Sequence, residues 1–280
     1  MSDSDLRSFI SASLAEDTGD GDHSSLASIE HGITGRARLL IKESGIIAGL
    51  RVAKEVFNVV DASLETNLLL GDGDSVKYGD IALTVGGAVH SILRAERLAL
   101  NILQRMSGIA TATSLYVEKV SGTKARITDT RKTTPGMRML EKEAVRTGGG
   151  VNHRMGLYDM IMLKDNHIDY AGGIAAAVRR TREYLRERNL SLKIEVEARN
   201  IDEVHEILAA GGVNRIMLDN FTVDDTVKAV ALIGDAAETE SSGGITLANV
   251  RDYALCGVDY ISIGALTHHI KSLDMSLKAY

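Results

Sequence analysis

"LKIEVEARNIDEVHEILAAGGVNRIMLDN", residues 192–220, reads as strand, helix, strand. The β-rich runs "LKIEVEA" (192–198) and "RIMLDN" (215–220) flank "IDEVHEILAAG", a helical stretch that ends in glycine. Parallel strands need such a crossover, because a tight turn cannot bring the chain back in the same direction. The unit recurs. Similar runs stand at "ARITDT" (125–130), "DMIMLKD" (159–165) and "DYISIGA" (259–265), and further helical stretches at "MRMLEKEAV", "IAAAVRRTREYLRER", "VDDTVKAVALIG" and "TLANVRDYALCG". The strands look nearly continuous in apolar residues, as strands buried on both faces should. A parallel α/β fold is expected, with a barrel preferred over an open sheet.

The first ninety or so residues differ. Glycine and aspartate punctuate them at "EDTGDGDHSS", "LLGDGDSVKYGD" and "LTVGG", with short β runs such as "ARLLIKESGIIAGL" between. This is the texture of a small α+β domain. "SILRAERLALNILQRMSGIATATSLYVEKV" (91–120) then reads as one long helix or a helix pair, with Ser91 as its N-cap. The expected domains are 1–107 and 108–267, with the tail 268–280 packing back on the first.

Composition narrows the function. The 280 residues carry a net charge of −6, which disfavours non-specific binding to nucleic acid or anionic membrane. With no Trp and three Phe, no aromatic set exists to stack bases. The lone Cys256 cannot close an internal disulfide, and a small buried thiol is the expectation for it. No start resembling a signal peptide and no spanning run is seen, so a cytoplasmic protein is expected.

Ligands of parallel α/β folds bind at the C-terminal ends of strands. Those ends carry Asp129, Thr130, Arg131 and Lys132; Lys164, Asp165, Asn166 and His167; Glu197, with Glu195 inside the same strand; Asp219 and Asn220; and Gly264 and Ala265. "SSGGIT" (241–246) precedes a helix whose first N–H groups, at Thr246, are expected to face an anion. "TDTRKTTPGMRMLEKEAVRTGGGVNHRMG" (128–156) holds six Lys/Arg against three Asp/Glu in an acidic chain. Arg131, Arg154 and Arg97 offer planar forks for carboxylates, and Lys132 and Lys164 offer point charges for pyrophosphate. Arg138, Lys142 and Arg146 interleave with Glu141 and Glu143 as on a solvated helix face. To bring Arg154 to the same rim, "GGGVNHR" must form a short irregular strand. "EDTGDGDHSS" lacks the spacing of a calcium hand, and His268 and His269 read as loop or capping residues.

These residues also carry a resemblance. "DTRKTTPGMRMLEKEAVRTGGGVNHRMGLYDMIMLKDNHI", "ERLALNILQRMSGIAT", "SGGIT", "SIGALTH" and "LAEDTGDGDHSS" resemble the quinolinate phosphoribosyltransferase family over nearly the whole chain. The resemblance implies an N-terminal α/β sandwich, a seven-stranded α/β barrel, and dimers or hexamers whose active sites are completed by the neighbouring subunit. It implies transfer from phosphoribosyl pyrophosphate to the ring nitrogen of quinolinate with decarboxylation, yielding nicotinate mononucleotide for NAD biosynthesis. Arg131, Arg154 and Lys164, with Thr130 and His153 nearby, would hold quinolinate, and Arg97 would reach in from the partner. Lys132 and Lys164 would face pyrophosphate, and Glu197 and Asp219 the ribose hydroxyls and Mg²⁺-bound waters, with no direct metal ligand. Ser242, Gly243, Gly244, Gly264 and Ala265 would hold the 5′-phosphate. Ser241 and the longer "GGVNR" stretch depart from the family's pattern and leave these positions intact.

Two other readings compete. Lys164 at a barrel strand end could form a Schiff base, as in an aldolase, but it must then be uncharged among carboxylates and ligand anions that favour the ammonium. A non-catalytic anion-binding barrel would not need the full set of carboxylates and cations.

Overall fold

The computed structural model describes residues 3–280. In chain order the elements are α1 (Asp3–Thr18), α2 (His23–Ser28), β1 (Thr34–Ile41), β2 (Gly45–Ile46), α3 (Leu50–Val60), β3 (Glu65–Leu68), β4 (Ser75–Val76), β5 (Ile81–Ala88), α4 (Val89–Lys119) and β6 (Arg126–Thr128). There follow α5 (Arg138–Thr147), β7 (Ile161–Leu163), α6 (Asp165–Ala171), α7 (Ile174–Glu187), β8 (Ile194–Ala198), α8 (Ile201–Ala210) and β9 (Arg215–Asp219). The last are α9 (Val223–Ile233), β10 (Glu238–Ser242), α10 (Val250–Leu255), β11 (Tyr260–Ser262), α11 (Ala265–His268) and β12 (Met275–Ala279).

They form two compact units, one of residues 1–114, 134–149 and 269–280, the other of 115–133 and 150–268. In the first, an antiparallel sheet runs in the order β12-β1-β5-β3. Leu39, Phe57, Leu83, Leu100, Leu103 and Leu277, from strands β1, β5 and β12 and helices α3 and α4, meet in one apolar layer. Helix α4 runs unbroken through the expected break at 107/108 and carries the first unit on to 114, and the tail from 269 belongs to that first unit. Helix α5 joins this unit as well. Arg105 on α4 donates to Glu141 on α5 at 2.7 Å, and both Glu141 and Lys142 are fully buried, so that face is not the solvated one the charge pattern suggested. Ser91 does not cap α4. The helix begins two residues earlier, and the Ser91 hydroxyl donates to Asp61 at 2.8 Å.

The second unit is a parallel sheet in the order β6-β11-β10-β9-β8-β7, with helices between successive strands. On the other side of β6, Val151 makes a single parallel bridge to Thr128. The expected seventh strand is thus one residue long, since the glycine run before it favours an irregular path. Register fixes what each strand presents. On β8, Ile194, Val196 and Ala198 pack outward with Val204 and Ile207 of α8, Ile216 and Leu218 of β9, and Ala229 and Ile233 of α9. Each fully buried Val, Leu or Ile among them contributes about 1.5–3 kcal/mol. The alternate residues turn inward: Glu195 and Glu197 on β8, Arg215, Met217 and Asp219 on β9, and Glu238, Glu240 and Ser242 on β10. The strands therefore alternate, contrary to the continuous apolar pattern expected, because the sheet encloses a charged interior and not an aliphatic plug.

Candidate active site

At the C-terminal ends of these strands lies a cavity of about 860 Å³, near the upper end of the range for small-molecule sites. All of its lining residues belong to the second unit. Thirteen of the fourteen expected site residues line it: Thr130, Arg131, Lys132, His153, Arg154, Lys164, Glu197, Asp219, Ser242, Gly243, Gly244, Gly264 and Ala265. The exception is Arg97, an exposed residue of α4 in the first unit. The sequence reading missed Met162, Met217, Glu240 and Ser262, inward residues one pleat below the rim, and gave His268 only a loop role although it lines the cavity.

The cations stand on short loops after β6 and β7 and beside the Val151 bridge. Thr130 accepts from the Lys132 amide at 3.0 Å, and Thr267 donates to the Lys132 carbonyl at 2.8 Å, which fixes that turn. Arg154 donates to the Met160 carbonyl at 3.3 Å. Partial burial and the neighbouring Arg131 guanidinium both lower its pKa, so two forks are held close with like charges opposed. Such an arrangement suits an anion with two acceptor groups. Lys164 pairs with Glu197 at 3.2 Å. Burial raises the Glu197 pKa, Lys164 opposes the rise, and Asp219 adds to it.

The glycine loops have steric reasons. Gly243 has φ +89°, and any side chain there would strike Asn220. Asn220 itself takes a left-handed φ of 56°, rare outside glycine and costing about 1–3 kcal/mol. Its amide donates to the Ser242 carbonyl at 2.9 Å, and its side-chain amide to Asp219 at 2.7 Å. A methyl group at Gly264 would come within 3.1 Å of His268 Nε2 and 3.2 Å of the Lys132 stem. The expectation for Thr246 fails: α10 begins only at Val250, and the Thr246 amide donates to Asn249 Oδ1 at 2.7 Å.

Below the rim lies a fully buried ionic cluster. His153 Nε2 is 3.0 Å from Glu195 and 3.5 Å from Glu240, while Arg215 donates to Glu240 at 2.8 Å and stacks on the Tyr260 ring at 3.7 Å. Burial disfavours a charged His153, yet its hydrogen bonds to Glu195 and Glu240 raise its pKa to about 9. The Arg154 amide opposes this, because its approach to Nδ1 at 2.8 Å requires a lone pair there. We assign a shared proton to the Nε2···Oε2 axis and leave Nδ1 as the acceptor. Glu195 is pushed upward by burial and by Glu240 beside it. His153, Glu195 and Glu240 each offer a ligand atom within 4.8 Å of one another, the composition of a metal triad. The contacts to Arg215 and between His153 and Glu195 close the cluster instead as an ion-pair network. His153 thus engages protein groups through both ring nitrogens while lining the cavity beside Arg131 and Arg154.

The arrangement matches known proteins throughout. Residues 22–107 match the family model described as quinolinate phosphoribosyl transferase, N-terminal domain, and residues 109–278 match the corresponding C-terminal domain. The chain belongs to the quinolinate phosphoribosyltransferase family. It is 47% identical to the Arabidopsis thaliana chloroplastic nicotinate-nucleotide pyrophosphorylase [carboxylating], over 98% of this chain and 82% of that protein. A probable enzyme of the same name from Synechocystis is 45% identical, over 95% of this chain and 89% of its own length. The crystal structure of NadC from Streptococcus pyogenes superposes with a TM-score of 0.94 at 39% identity, covering 100% of this chain and 99% of that one. The Francisella tularensis nicotinate-nucleotide pyrophosphorylase gives 0.94 at 38% identity, covering 100% and 98%. The fold of this family member is therefore the family's paired small-sheet domain and parallel α/β barrel. Among the described residues, no helix is long and apolar enough to cross a membrane.

Proposed function

We propose that the cavity transfers the phosphoribosyl group of phosphoribosyl pyrophosphate to the ring nitrogen of quinolinate, with loss of the C2 carboxylate. The observation that carries this reading is the gathering of Arg131, Lys132, Arg154, Lys164, Glu197, Asp219 and both glycine loops around one cavity. Two reactants, each bearing several negative charges, fit such a mouth, and relatives spanning nearly the whole chain bear the name of this activity.

Each side chain then has a part. Arg131 and Arg154 hold the adjacent carboxylates as bidentate partners. Lys132 and Lys164 balance the pyrophosphate, and Ser242, Gly243, Gly244, Gly264 and Ala265 seat the 5′-phosphate, the three glycines among them letting the backbone approach it closely. The ring nitrogen bonds to C1 as the C1–O bond breaks and its electron pair leaves with pyrophosphate. Positive charge grows on the ribose, where the Glu197 and Asp219 carboxylates favour it. The pyridinium nitrogen next withdraws the electron pair of the C2–carboxylate bond, CO₂ departs, and C2 takes a proton from solvent. The residues fit Mg²⁺ as a hydrated ion brought in with the pyrophosphate: Glu197 and Asp219 supply hard oxygen acceptors, but Lys164 already occupies Glu197 Oε2. When bound, that ion would offset charge on the leaving group.

A Schiff base at Lys164 would forfeit its 3.2 Å pair with Glu197, which speaks against that alternative. We further propose a homo-oligomer, dimer or hexamer, in which Arg97 is supplied across the interface, and a cytoplasmic location. The deciding assay supplies quinolinate, phosphoribosyl pyrophosphate and Mg²⁺ and follows pyrophosphate and CO₂ together. Equimolar release, absent with nicotinate in place of quinolinate, is expected; no pyrophosphate release from quinolinate overturns the reading.

A further inference from the structure

We propose that Glu195 and Glu240 are positioning residues of this enzyme: from inside the barrel they clamp the His153 ring, and through it the Arg154 backbone that presents a guanidinium to the substrate. The inference rests on the reading above that Arg154 meets a quinolinate carboxylate.

The contacts form one continuous chain. Tyr260 supports Arg215 by stacking, and Arg215 donates to Glu240. Glu240 and Glu195 flank His153 Nε2, and His153 Nδ1 accepts the Arg154 amide hydrogen. At its other end His153 is pinned by its own amide, which donates to the fully buried Asp129 at 3.0 Å. The imidazole is therefore fixed at the ring and at the backbone, and the peptide that begins Arg154 has little freedom left.

Two arguments make this more than packing. The carboxylates are costly where they stand. Glu195 and Glu240 are both fully buried, and apolar residues of similar size often serve stability as well as or better than buried ions. Something besides stability accounts for them. Arg154 also needs holding, since the neighbouring Arg131 charge drives the two guanidiniums apart when no anion lies between them. A fork held against that repulsion binds a dicarboxylate without first being gathered in.

The test is a set of steady-state and folding measurements on the full chain carrying Glu195→Gln or Glu240→Gln. Each substitution should raise the KM for quinolinate by about five- to tenfold, less than the loss of a whole charge-assisted hydrogen bond because Arg154 is still present and only its positioning is relaxed. The KM for phosphoribosyl pyrophosphate should stay within about twofold; Glu240→Gln leaves the buried Arg215 guanidinium short of a partner and should lower Tm, so both variants are assayed at a temperature where calorimetry shows them folded. In an Arg154→Ala background, Glu195→Gln should add almost nothing, since both act through the same fork. An unchanged quinolinate KM, an equal rise for both substrates, or additive effects in the double variant would each overturn the proposal. Should Glu195→Gln fail to fold, Glu240→Gln and ¹⁵N NMR of the native chain answer instead. At neutral pH the His153 Nδ1 signal should be that of an unprotonated acceptor, and a protonated Nδ1 breaks the chain of contacts. If the native enzyme does not turn over quinolinate at all, the function falls, while the NMR result still decides the clamp.

Discussion

Glu197 sits in the cavity at a cost. Burial and Asp219 raise its pKa, so the folded protein holds its proton more tightly than the unfolded chain does. The sign follows: its contribution to stability is greatest when protonated, below the unfolded carboxyl pKa, and is lost as pH rises through the raised folded value. Above that raised value the fold disfavours the ionised group, and there Glu197→Gln should raise Tm, by up to about 2–4 °C if the relief is near 1 kcal/mol, while activity collapses. A lower Tm, measured by calorimetry, would show that its pairing with Lys164 outweighs its burial. Arg131→Ala should weaken quinolinate by about 1.5–3 kcal/mol per lost charge-assisted hydrogen bond, roughly ten- to a hundredfold in apparent affinity. An unaltered KM would remove Arg131 from the carboxylate role. Residues such as these were legible because each is a charge closing an apolar run, and a parallel fold sends those positions to one rim. Glu240 and Ser262 were not, because they lie inside strands, where only the pairing register reveals that they turn inward.

Strand β10 explains the rest of what stayed hidden. Its sequence, Glu238–Ser242, is "ETESS", with no aliphatic residue to mark a strand, yet Thr239, Glu240 and Ser241 are buried. It forms only because β9 and β11 supply ladders on both sides. The charge pattern of α5 misled in the opposite sense, since Glu141 looked like one member of a solvated i,i+4 lattice but is buried against Arg105 and Thr134. By contrast β8, α8 and β9 were readable from their apolar spacing alone. The loop after β10 provides an element-scale prediction. Gly243→Ala would place a methyl group against Asn220 in a left-handed conformation, costing on the order of 1–3 kcal/mol locally. If that loop seats the 5′-phosphate, the KM for phosphoribosyl pyrophosphate should rise about tenfold or more, with quinolinate less affected. A selective rise for quinolinate would place the loop at the other substrate.

At the scale of the whole molecule, the two units divide the proposed labour. Every residue lining the cavity belongs to the barrel unit, whereas Arg97 belongs to the unit with the antiparallel sheet. Supply of Arg97 by a second subunit makes a quantitative prediction. Chains carrying Arg97→Ala should be inactive alone, and so should chains carrying Lys132→Ala. In a mixed dimer, the barrel with native Lys132 receives native Arg97 from its partner, so one of the two sites is whole and the other lacks both groups. Random exchange at equal concentration makes about half the dimers hybrid, which restores about a quarter of native activity in a symmetric two-site dimer. Supply within one subunit predicts no recovery, because each chain then carries its own defect into its own site. Verified subunit exchange without recovery therefore rules out the shared site.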